Sequence, residues 1–217
     1  MQRPTRKQKK QMRRQPRQPN HDSEEVSNTK AVLELDEISP KTDNQQLAFD
    51  AFDQKKNLVF HGLAGTGKSF ISLYLALDEI ISGGGKEKIY IVRSAVPARD
   101  VGFLPGSLKD KIKVYEQPHM SICAELFHRG DAYQIMKSKD LISFVSTSFL
   151  RGITLSDCIV IVDESQNLSW EECYTIMTRI GENSRIMFCG DYRQSDLEDH
   201  EKHGFLKFLR ILKKMRS

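Results

Sequence analysis

Five short apolar runs, separated by amphipathic stretches, set the pattern of the chain from residue 42 onward. They cover residues 57–60, 88–92, 141–145, 157–162 and 185–189. Runs of this length, with apolar residues at consecutive positions, are typical of parallel strands buried on both faces. Their alternation with helices predicts an α/β domain in which a mainly parallel sheet has helices on both faces.

Two of the predicted helices carry start signals. Ser169 and Glu172 have the spacing of a capping box, and Gly181 marks the end of that helix. Thr42 and Gln45 repeat the spacing at the start of an earlier helix. The apolar face predicted for this earlier helix consists of Leu47, Ala48, Ala51 and Phe52.

The last stretch, residues 204–217, alternates apolar residues with five Lys or Arg side chains. This pattern predicts an amphipathic helix with a basic face. Two interpretations are open: a helix docked on the domain with a solvated basic side, or a helix that binds nucleic acid. The docked helix is the simpler of the two.

Charge is distributed unevenly along the 217 residues. Residues 1–20 hold eight Lys or Arg and no acidic residue, so the remaining 25 basic residues are outnumbered by 29 acidic ones. The same stretch has only two Met as apolar side chains, so burial cannot offset the entropy of ordering it. We therefore expect residues 1–30 to be a disordered basic tail and residues 31–217 to form one domain.

No export or membrane signal is visible in the sequence. The basic stretch lacks the apolar core of a signal peptide, and no apolar run reaches the roughly 18 residues of a membrane span. The four cysteines lie far apart without a C-x-x-C pair, which indicates reduced, buried thiols. We expect a cytoplasmic protein without a membrane partner.

Residues 62–69 read GLAGTGKS and satisfy the P-loop pattern G-x-x-x-x-G-K-[ST] between an apolar run and an apolar helix. Such a loop directs backbone N–H groups and a helix N-terminus at phosphates. Lys68 is expected to contact the β- and γ-phosphates, and the Ser69 hydroxyl to bind Mg²⁺. ATP and Mg²⁺ are thus the predicted cofactors. The predicted cofactor-binding residues of the loop are Gly62, Leu63, Ala64, Gly65, Thr66, Gly67, Lys68 and Ser69.

A second apolar run, CIVIV, ends in two acids, Asp163 and Glu164. Asp163 is predicted to hold the metal together with Ser69, directly or through a water. Glu164 is the candidate general base that polarises an attacking water. A surface acid after a strand is the alternative for Glu164, and the P-loop upstream argues against it.

A third apolar run ends in GDYRQSD and brings Gly190, Asp191 and Gln194 to the carboxyl ends of the strands. Open α/β sheets bind ligands there, so we expect these residues in the same crevice. Gln194 is predicted to be catalytic, either by orienting the attacking water or by sensing the γ-phosphate. Its alternative is a loop amide that bonds its own backbone.

With these motifs in place, the chain resembles the PhoH-like ATPases and, through them, the first RecA-like domain of superfamily-one helicases. The segments that carry the resemblance are TDNQ, VRSAVPARDVGFLPGSL, FLRGITLSD, VDESQN and TRIGENSRIMFCGDYRQSDL, in the family's order. The second is more specific than the P-loop, because few other P-loop proteins carry it. The chain departs from the family pattern at Leu63, Val92, Ser94 and Ile153, and relatives continue beyond the point that corresponds to Ser217.

The resemblance implies a RecA-like P-loop NTPase that couples ATP hydrolysis to RNA or single-stranded DNA. It also implies that Gln45 lies near the nucleotide base, and this role stays open beside the capping role. The family forms rings, so a homo-oligomer such as a hexamer is implied, in which a neighbouring subunit could supply an arginine finger. The candidates are Arg151, Arg179 and Arg193.

The eight positive charges of the tail have two interpretations: nucleic-acid binding through phosphates, or solubility alone. Two other functions share the P-loop: a small-molecule kinase, and a nucleotide-binding scaffold without turnover. The adjacent Asp163 and Glu164 and the Gln194 cluster argue against the kinase. Strand separation is not predicted, because one RecA-like domain has no second lobe to move against.

Overall fold

The computed structural model describes residues 33–94, 108–191 and 203–214. The strands in this part of the chain are β1 (Leu58–His61), β2 (Lys88–Arg93), β3 (Ile142–Ser146), β4 (Cys158–Val162) and β5 (Arg185–Gly190). The helices are α1 (Asp43–Asp53), α2 (Lys68–Ile81), α3 (Leu108–Phe127), α4 (Ala132–Ser138), α5 (Trp170–Arg179) and α6 (His203–Leu212). Short 3₁₀ turns cover Thr147–Phe149 and Ser165–Asn167.

The five strands form one sheet in the order β1-β5-β4-β2-β3, and every pairing is parallel. Each strand lies within one residue of an apolar run in the sequence. Because all strands run the same way, their carboxyl ends meet at one edge, which we call the carboxyl edge. There β5 separates β1 from β4, and these three ends lie side by side.

Strand β4 explains why the apolar runs do not alternate. Ile159 and Ile161 point into one core cluster, while Val160 and Val162 point into a second, and none is more than 1% exposed. The first cluster is completed by α1 to α4 and the second by α5 and α6. Each such side chain contributes about 1.5–3 kcal/mol through burial. The predicted α/β class, with a parallel sheet covered on both faces, is confirmed.

The capping box predicted for α5 is present. Ser169 Oγ accepts a hydrogen bond from the Glu172 amide (3.2 Å), and Glu172 Oε2 accepts one from the Ser169 amide (2.9 Å). The other carboxylate oxygen of Glu172 accepts hydrogen bonds from Ser94, just beyond β2, and Thr147, just beyond β3. Glu172 therefore fastens the start of α5 to the carboxyl edge.

The start of α1 differs from its predicted capping box. Thr42 Oγ1 accepts from the Gln45 amide (3.3 Å), as expected, but Gln45 Oε1 accepts from the Lys41 amide (2.7 Å) instead of that of Thr42. The predicted apolar face was wrong at Leu47, which is 64% exposed. Phe49 is buried in its place, because the turn of the helix brings it beside Phe52.

Helix α6 confirms the docked interpretation of the last stretch. Phe205 and Phe208 pack on Phe188 of β5, with ring centroids 6.1 and 4.9 Å away. On its outer side, the ammonium of Lys207 lies 4.6 Å from the centre of the Trp170 ring. Aromatic burial thus fixes this helix on the sheet, with Lys207 and Arg210 exposed.

Helix α3 was not anticipated from the sequence. It contains Pro118 within its 20 residues, and proline has no N–H for the carbonyl four residues earlier. Despite this, its apolar residues Cys123 and Leu126 are at most 1% exposed in the first core cluster. Tertiary packing therefore outweighs the cost of the proline, and α3 brings its side chains beneath the carboxyl edge.

A buried ion pair lies at the opposite, amino edge of the sheet. Arg185 Nη2, at the start of β5, is 3.2 Å from Glu79 Oε2 on α2. Arg185 Nη1 donates to the Phe52 carbonyl of α1 (2.8 Å), and its guanidinium lies 3.6 Å from the centre of the Phe52 ring. Lys55 provides a second cation for Glu79 at 2.5 Å. These contacts compensate two charged groups that are 3–4% exposed.

All four cysteines are buried and free, as the sequence indicated. Among the described helices, none has the length and apolar character that crossing a membrane requires. The predicted basic tail, residues 1–30, lies outside the described residues.

Candidate functional site

The loop between β1 and α2 has the backbone that its glycines predict. Gly65 (φ 77°) and Gly67 (φ 81°) are left-handed, a conformation that costs glycine little. Gly67 is the N-cap of α2 and offers no side chain to the first amides of the helix. Amides at such a helix start are oriented for an anionic ligand, and the helix dipole adds partial positive charge.

Lys68 lies inside this loop. Its Nζ donates to the carbonyls of Gly62 and Leu63, each at 2.8 Å. Thr66 Oγ1 donates to the same Leu63 carbonyl (2.8 Å), and the Gly62 amide donates to the Gly190 carbonyl of β5 (3.3 Å). The loop therefore surrounds the ammonium group of Lys68 and is hydrogen-bonded to the end of β5.

Ser69 and Asp163 meet across the pocket. Ser69 Oγ, in the first turn of α2, donates to Asp163 Oδ1 just beyond β4, over 2.7 Å. Asp163 is 4% exposed, and burial acts to raise its pKa. The close contact with His119, the hydrogen bond from Ser69 and the positive charge of Arg93 outweigh burial and hold the pKa of Asp163 below its ordinary value. The carboxylate is therefore ionised at neutral pH.

The donor chemistry here suits a hard cation such as Mg²⁺. A hydroxyl and an ionised carboxylate are adjacent, and Mg²⁺ prefers oxygen ligands, with phosphate and water completing its shell. Within residues 33–94, 108–191 and 203–214, no group of three or more His, Cys, Asp or Glu could hold a metal. The adjacent hydroxyl and carboxylate fit a Mg²⁺ ion whose remaining ligands come from phosphate and water.

Glu164 follows Asp163 in a left-handed conformation (φ 49°, ψ 42°), which costs a non-glycine residue about 1–2 kcal/mol. Gln166 Nε2 donates to Glu164 Oε2 at 2.5 Å, and Gln166 Oε1 accepts from the Asp191 amide at 3.0 Å. Gln166 is only 5% exposed. A buried amide therefore holds the Glu164 carboxylate and links it to the end of β5.

The segment after β4 is fixed to β5 at two further points. Ser165 Oγ donates to the Cys189 carbonyl (2.9 Å). A Cβ on Gly190 would lie 2.4 Å from Ser165 Oγ and 2.8 Å from Gln166 Oε1, so only glycine fits here without displacement. Glycine at position 190 thus permits the close approach of the two strand ends.

Gln45 lies beside the P-loop. Its Nε2 is 3.8 Å from the position that a Cβ on Gly67 would occupy, while its Oε1 caps the start of α1. The two roles left open by the sequence therefore involve different atoms of one side chain. The contact with the nucleotide base stays a prediction.

These elements enclose a cavity of about 270 Å³ at the carboxyl edge. The side chains that line it include Lys68, Ser69, Asp163, Glu164, Gln166 and Asp191. The structure thus brings the predicted phosphate, metal and base residues into one pocket.

The remaining predicted residues lie elsewhere. Gln194 and Arg193 fall outside the described residues. Arg151 is exposed in the turn after the 3₁₀ segment that follows β3. The carbonyl of Arg179 bonds the amide of Leu155, just before β4, which places the end of α5 near the amino edge.

Two site residues had no predicted role. Gln166 belongs to VDESQN, one of the segments that carry the resemblance, but its contact with the Asp191 amide depends on β5, which follows later in the chain. His119 on α3 is 1% exposed, and its Nε2 lies 3.3 Å from Asp163 Oδ2. No pattern around Pro118 and His119 indicated this contact, because the helix that carries it was not anticipated.

Comparison with known proteins gives a consistent result. A family model described as PhoH-like protein matches residues 37–217. A PhoH-like protein of Mycobacterium leprae is 33% identical over 178 residues, which cover 81% of this chain and 50% of the relative. A PhoH-like protein of Synechocystis sp. is 32% identical over 178 residues, 81% of this chain and 53% of the relative. Protein PhoH2 of Bacillus subtilis is 32% identical over 165 residues, 73% and 37% respectively. The chain therefore spans about half, or less, of the length of these relatives.

Proposed function

The chain belongs to the PhoH-like protein family, and on that premise we propose that it binds ATP with Mg²⁺ and hydrolyses the ATP. The observation that carries the proposal is the 2.7 Å hydrogen bond between Ser69 Oγ and Asp163 Oδ1. It joins the P-loop helix to the acid of a second strand, and a hydroxyl and a carboxylate are the oxygen ligands that the proposed Mg²⁺–phosphate complex would need.

The residues predicted for the site take the following roles in this proposal. The amides of residues 62–69 and the Lys68 ammonium bind the phosphates, and the Gln45 amide faces the base. Ser69 and Asp163 would hold Mg²⁺, which when bound neutralises charge on the phosphate oxygens. Glu164 accepts a proton from the water that attacks the γ-phosphorus, while the bond to the bridging oxygen breaks to give ADP and phosphate. Gln194 is proposed to act with this water.

Phosphate release by the wild type and by Glu164→Gln tests this proposal. Loss of the base should lower phosphate release at least 100-fold while nucleotide binding persists. Glu171→Gln is a matched control, because Glu171 is also acidic but exposed in the first turn of α5. Nucleotide binding without turnover in the wild type would indicate a scaffold. ADP formation that requires an added small acceptor would indicate a kinase.

We also propose that hydrolysis is coupled to RNA or single-stranded DNA. The support is the family resemblance together with the eight basic residues of positions 1–20. Phosphate neutralisation of this kind gives affinity without sequence preference and with a steep salt dependence. Deleting residues 2–19 should weaken RNA binding and flatten its salt dependence. An unchanged affinity and slope would contradict a role for the tail.

A homo-oligomer, such as a hexameric ring, is proposed as the active form. The described lining of the pocket contains no arginine, and an arginine finger is worth about 10³–10⁵ in rate. Arg151 is the best exposed of the described candidates, since Arg179 is half-buried. Light scattering with ATP and Mg²⁺ tests the assembly. A dilute monomer that hydrolyses ATP at the full rate would contradict it.

A further inference from the structure

A buried histidine stands behind the carboxylate of Asp163. His119 is 1% exposed, and its Nε2 lies 3.3 Å from Asp163 Oδ2. Its ring also packs toward Phe144 of β3, with centroids 6.1 Å apart. The imidazole therefore lies between the Phe144 ring and the Asp163 carboxylate.

The position is costly for an imidazole. Neither ring nitrogen of His119 makes a hydrogen bond of good geometry to any described residue. A buried polar group without a full partner loses the hydrogen bonds that it makes to water, whereas a leucine or phenylalanine would not carry that cost. Packing alone does not explain a histidine here, whereas the contact of its Nε2 with the Asp163 carboxylate does.

The two oxygens of Asp163 are contacted from different elements. Ser69 of α2 donates to Oδ1, and His119 of α3 faces Oδ2. If Ser69 turns its oxygen to a metal, its hydrogen bond to Asp163 is altered, and His119 becomes the partner that still limits rotation of the carboxylate. A ligand oriented in advance binds a metal more tightly, because less freedom is lost on binding.

We propose that His119 is a positioning residue that orients Asp163 and thereby sets the affinity of the nucleotide site for Mg²⁺. This inference rests on the proposed function. Its geometric basis is the 3.3 Å approach of Nε2 to Oδ2.

The test compares two ways of changing the side chain. His119→Phe and His119→Leu remove both nitrogens with different shapes, whereas His119→Gln can place an amide N–H near the position of Nε2. Cys123→Ala is the matched control, since Cys123 lies one turn further along α3 and is also fully buried. Binding of the fluorescent nucleotide mant-ADP is measured by anisotropy, first in EDTA and then in a Mg²⁺ titration.

We expect His119→Phe and His119→Leu to raise the Mg²⁺ concentration at half-maximal effect about tenfold, as loss of a supporting contact to a metal ligand does. His119→Gln should restore it to within about threefold, and binding in EDTA should be unchanged in all variants. A midpoint unaffected by either apolar substitution, or shifted equally by Gln, would overturn the inference, because packing would then explain the residue. A wild type whose mant-ADP binding ignores Mg²⁺ would overturn the proposed function, and the inference with it.

Discussion

The hydroxyl of Ser69 donates a hydrogen bond to the carboxylate of Asp163 across 2.7 Å, although the two residues are 94 positions apart in the chain. The contact joins the first turn of α2 to the end of β4 over the intervening strand β5. It therefore depends on the order of β1, β5 and β4 at the carboxyl edge.

Removal of this hydroxyl should weaken the site selectively. Ser69→Ala should lower Mg²⁺-dependent ATP hydrolysis by about 10- to 100-fold, whereas Ser69→Thr keeps the hydroxyl and should retain most activity. Ser72→Ala is the control, because Ser72 is buried on the same helix and bonds the Ser69 carbonyl (3.0 Å). An equal loss in the Ser72 and Ser69 variants would point to the helix instead of the hydroxyl.

The Gln166 side chain links Glu164 to the Asp191 amide through two hydrogen bonds, and a substitution can remove one of them. Gln166→Glu keeps an acceptor for the Asp191 amide but replaces the donor to Glu164 with another carboxylate oxygen. We expect kcat to fall about tenfold with nucleotide affinity changed less than twofold, because the base is misplaced while the phosphate loop is intact. Steady-state kinetics and equilibrium binding measure the two effects. A change in affinity alone would contradict this role.

Gly190 should not tolerate a methyl group. In Gly190→Ala the new Cβ would lie 2.4 Å from Ser165 Oγ and 2.8 Å from Gln166 Oε1. Strand β5 or the segment after β4 must move, at a cost of about 1–3 kcal/mol, which urea unfolding can measure. Gly130→Ala is the control, since its Cβ would meet nothing within 4 Å. Equal stability of the two variants would contradict the close approach.

Glu172 caps α5 and also accepts hydrogen bonds from residues that follow β2 and β3. Glu172→Ala removes the partner of the Ser169 amide and of the Ser94 and Thr147 hydroxyls. We expect a loss of about 2 kcal/mol in the free energy of unfolding, from the sum of these hydrogen bonds. Glu171→Ala, at an exposed neighbouring position, should change it by less than about 0.5 kcal/mol. If both variants lost a similar free energy of unfolding, the loss of a negative charge near the start of α5 would explain the effect, and the hydrogen bonds would not.

The cysteines should be unreactive in the folded protein. Burial raises the pKa of Cys123 and that of Cys173 to about 12, and it raises the pKa of Cys158 and Cys189 as well. The thiolate, which is the reactive form, is therefore scarce at pH 8 and becomes abundant only as the pH approaches these values. Labelling with a thiol reagent at pH 8 should require urea. A thiol of the folded protein that reacts as fast as free cysteine would contradict this.

The positions of the strands were predictable because a strand that is buried on both faces has apolar residues at consecutive positions. Each apolar run became a strand with ends shifted by at most one residue, and the α5 capping box formed as expected. In contrast, α3 lacks such a signal, since Pro118 interrupts it and tertiary contacts supply the stability that local preference does not.

Some residues of the site were predictable from the sequence and others were not. The P-loop, Asp163 and Glu164 were predictable because their chemistry is encoded in contiguous residues. His119 and Gln166 contact site residues on other elements, and no local pattern predicted these contacts. At Gln45 a capping pattern and a ligand pattern coincide, because one amide carries an oxygen and a nitrogen that face different partners.

The buried guanidinium of Arg185 holds the far ends of two helices at once, through the Phe52 carbonyl of α1 and the Glu79 carboxylate of α2. The opposite ends of the same helices carry Gln45, which lies beside the P-loop, and Lys68, which lies within it. Arg185 is therefore a shared anchor for α1 and α2 at the amino edge of the sheet. Loss of its guanidinium would release both helices from that anchor and leave the buried Glu79 carboxylate with fewer compensating contacts.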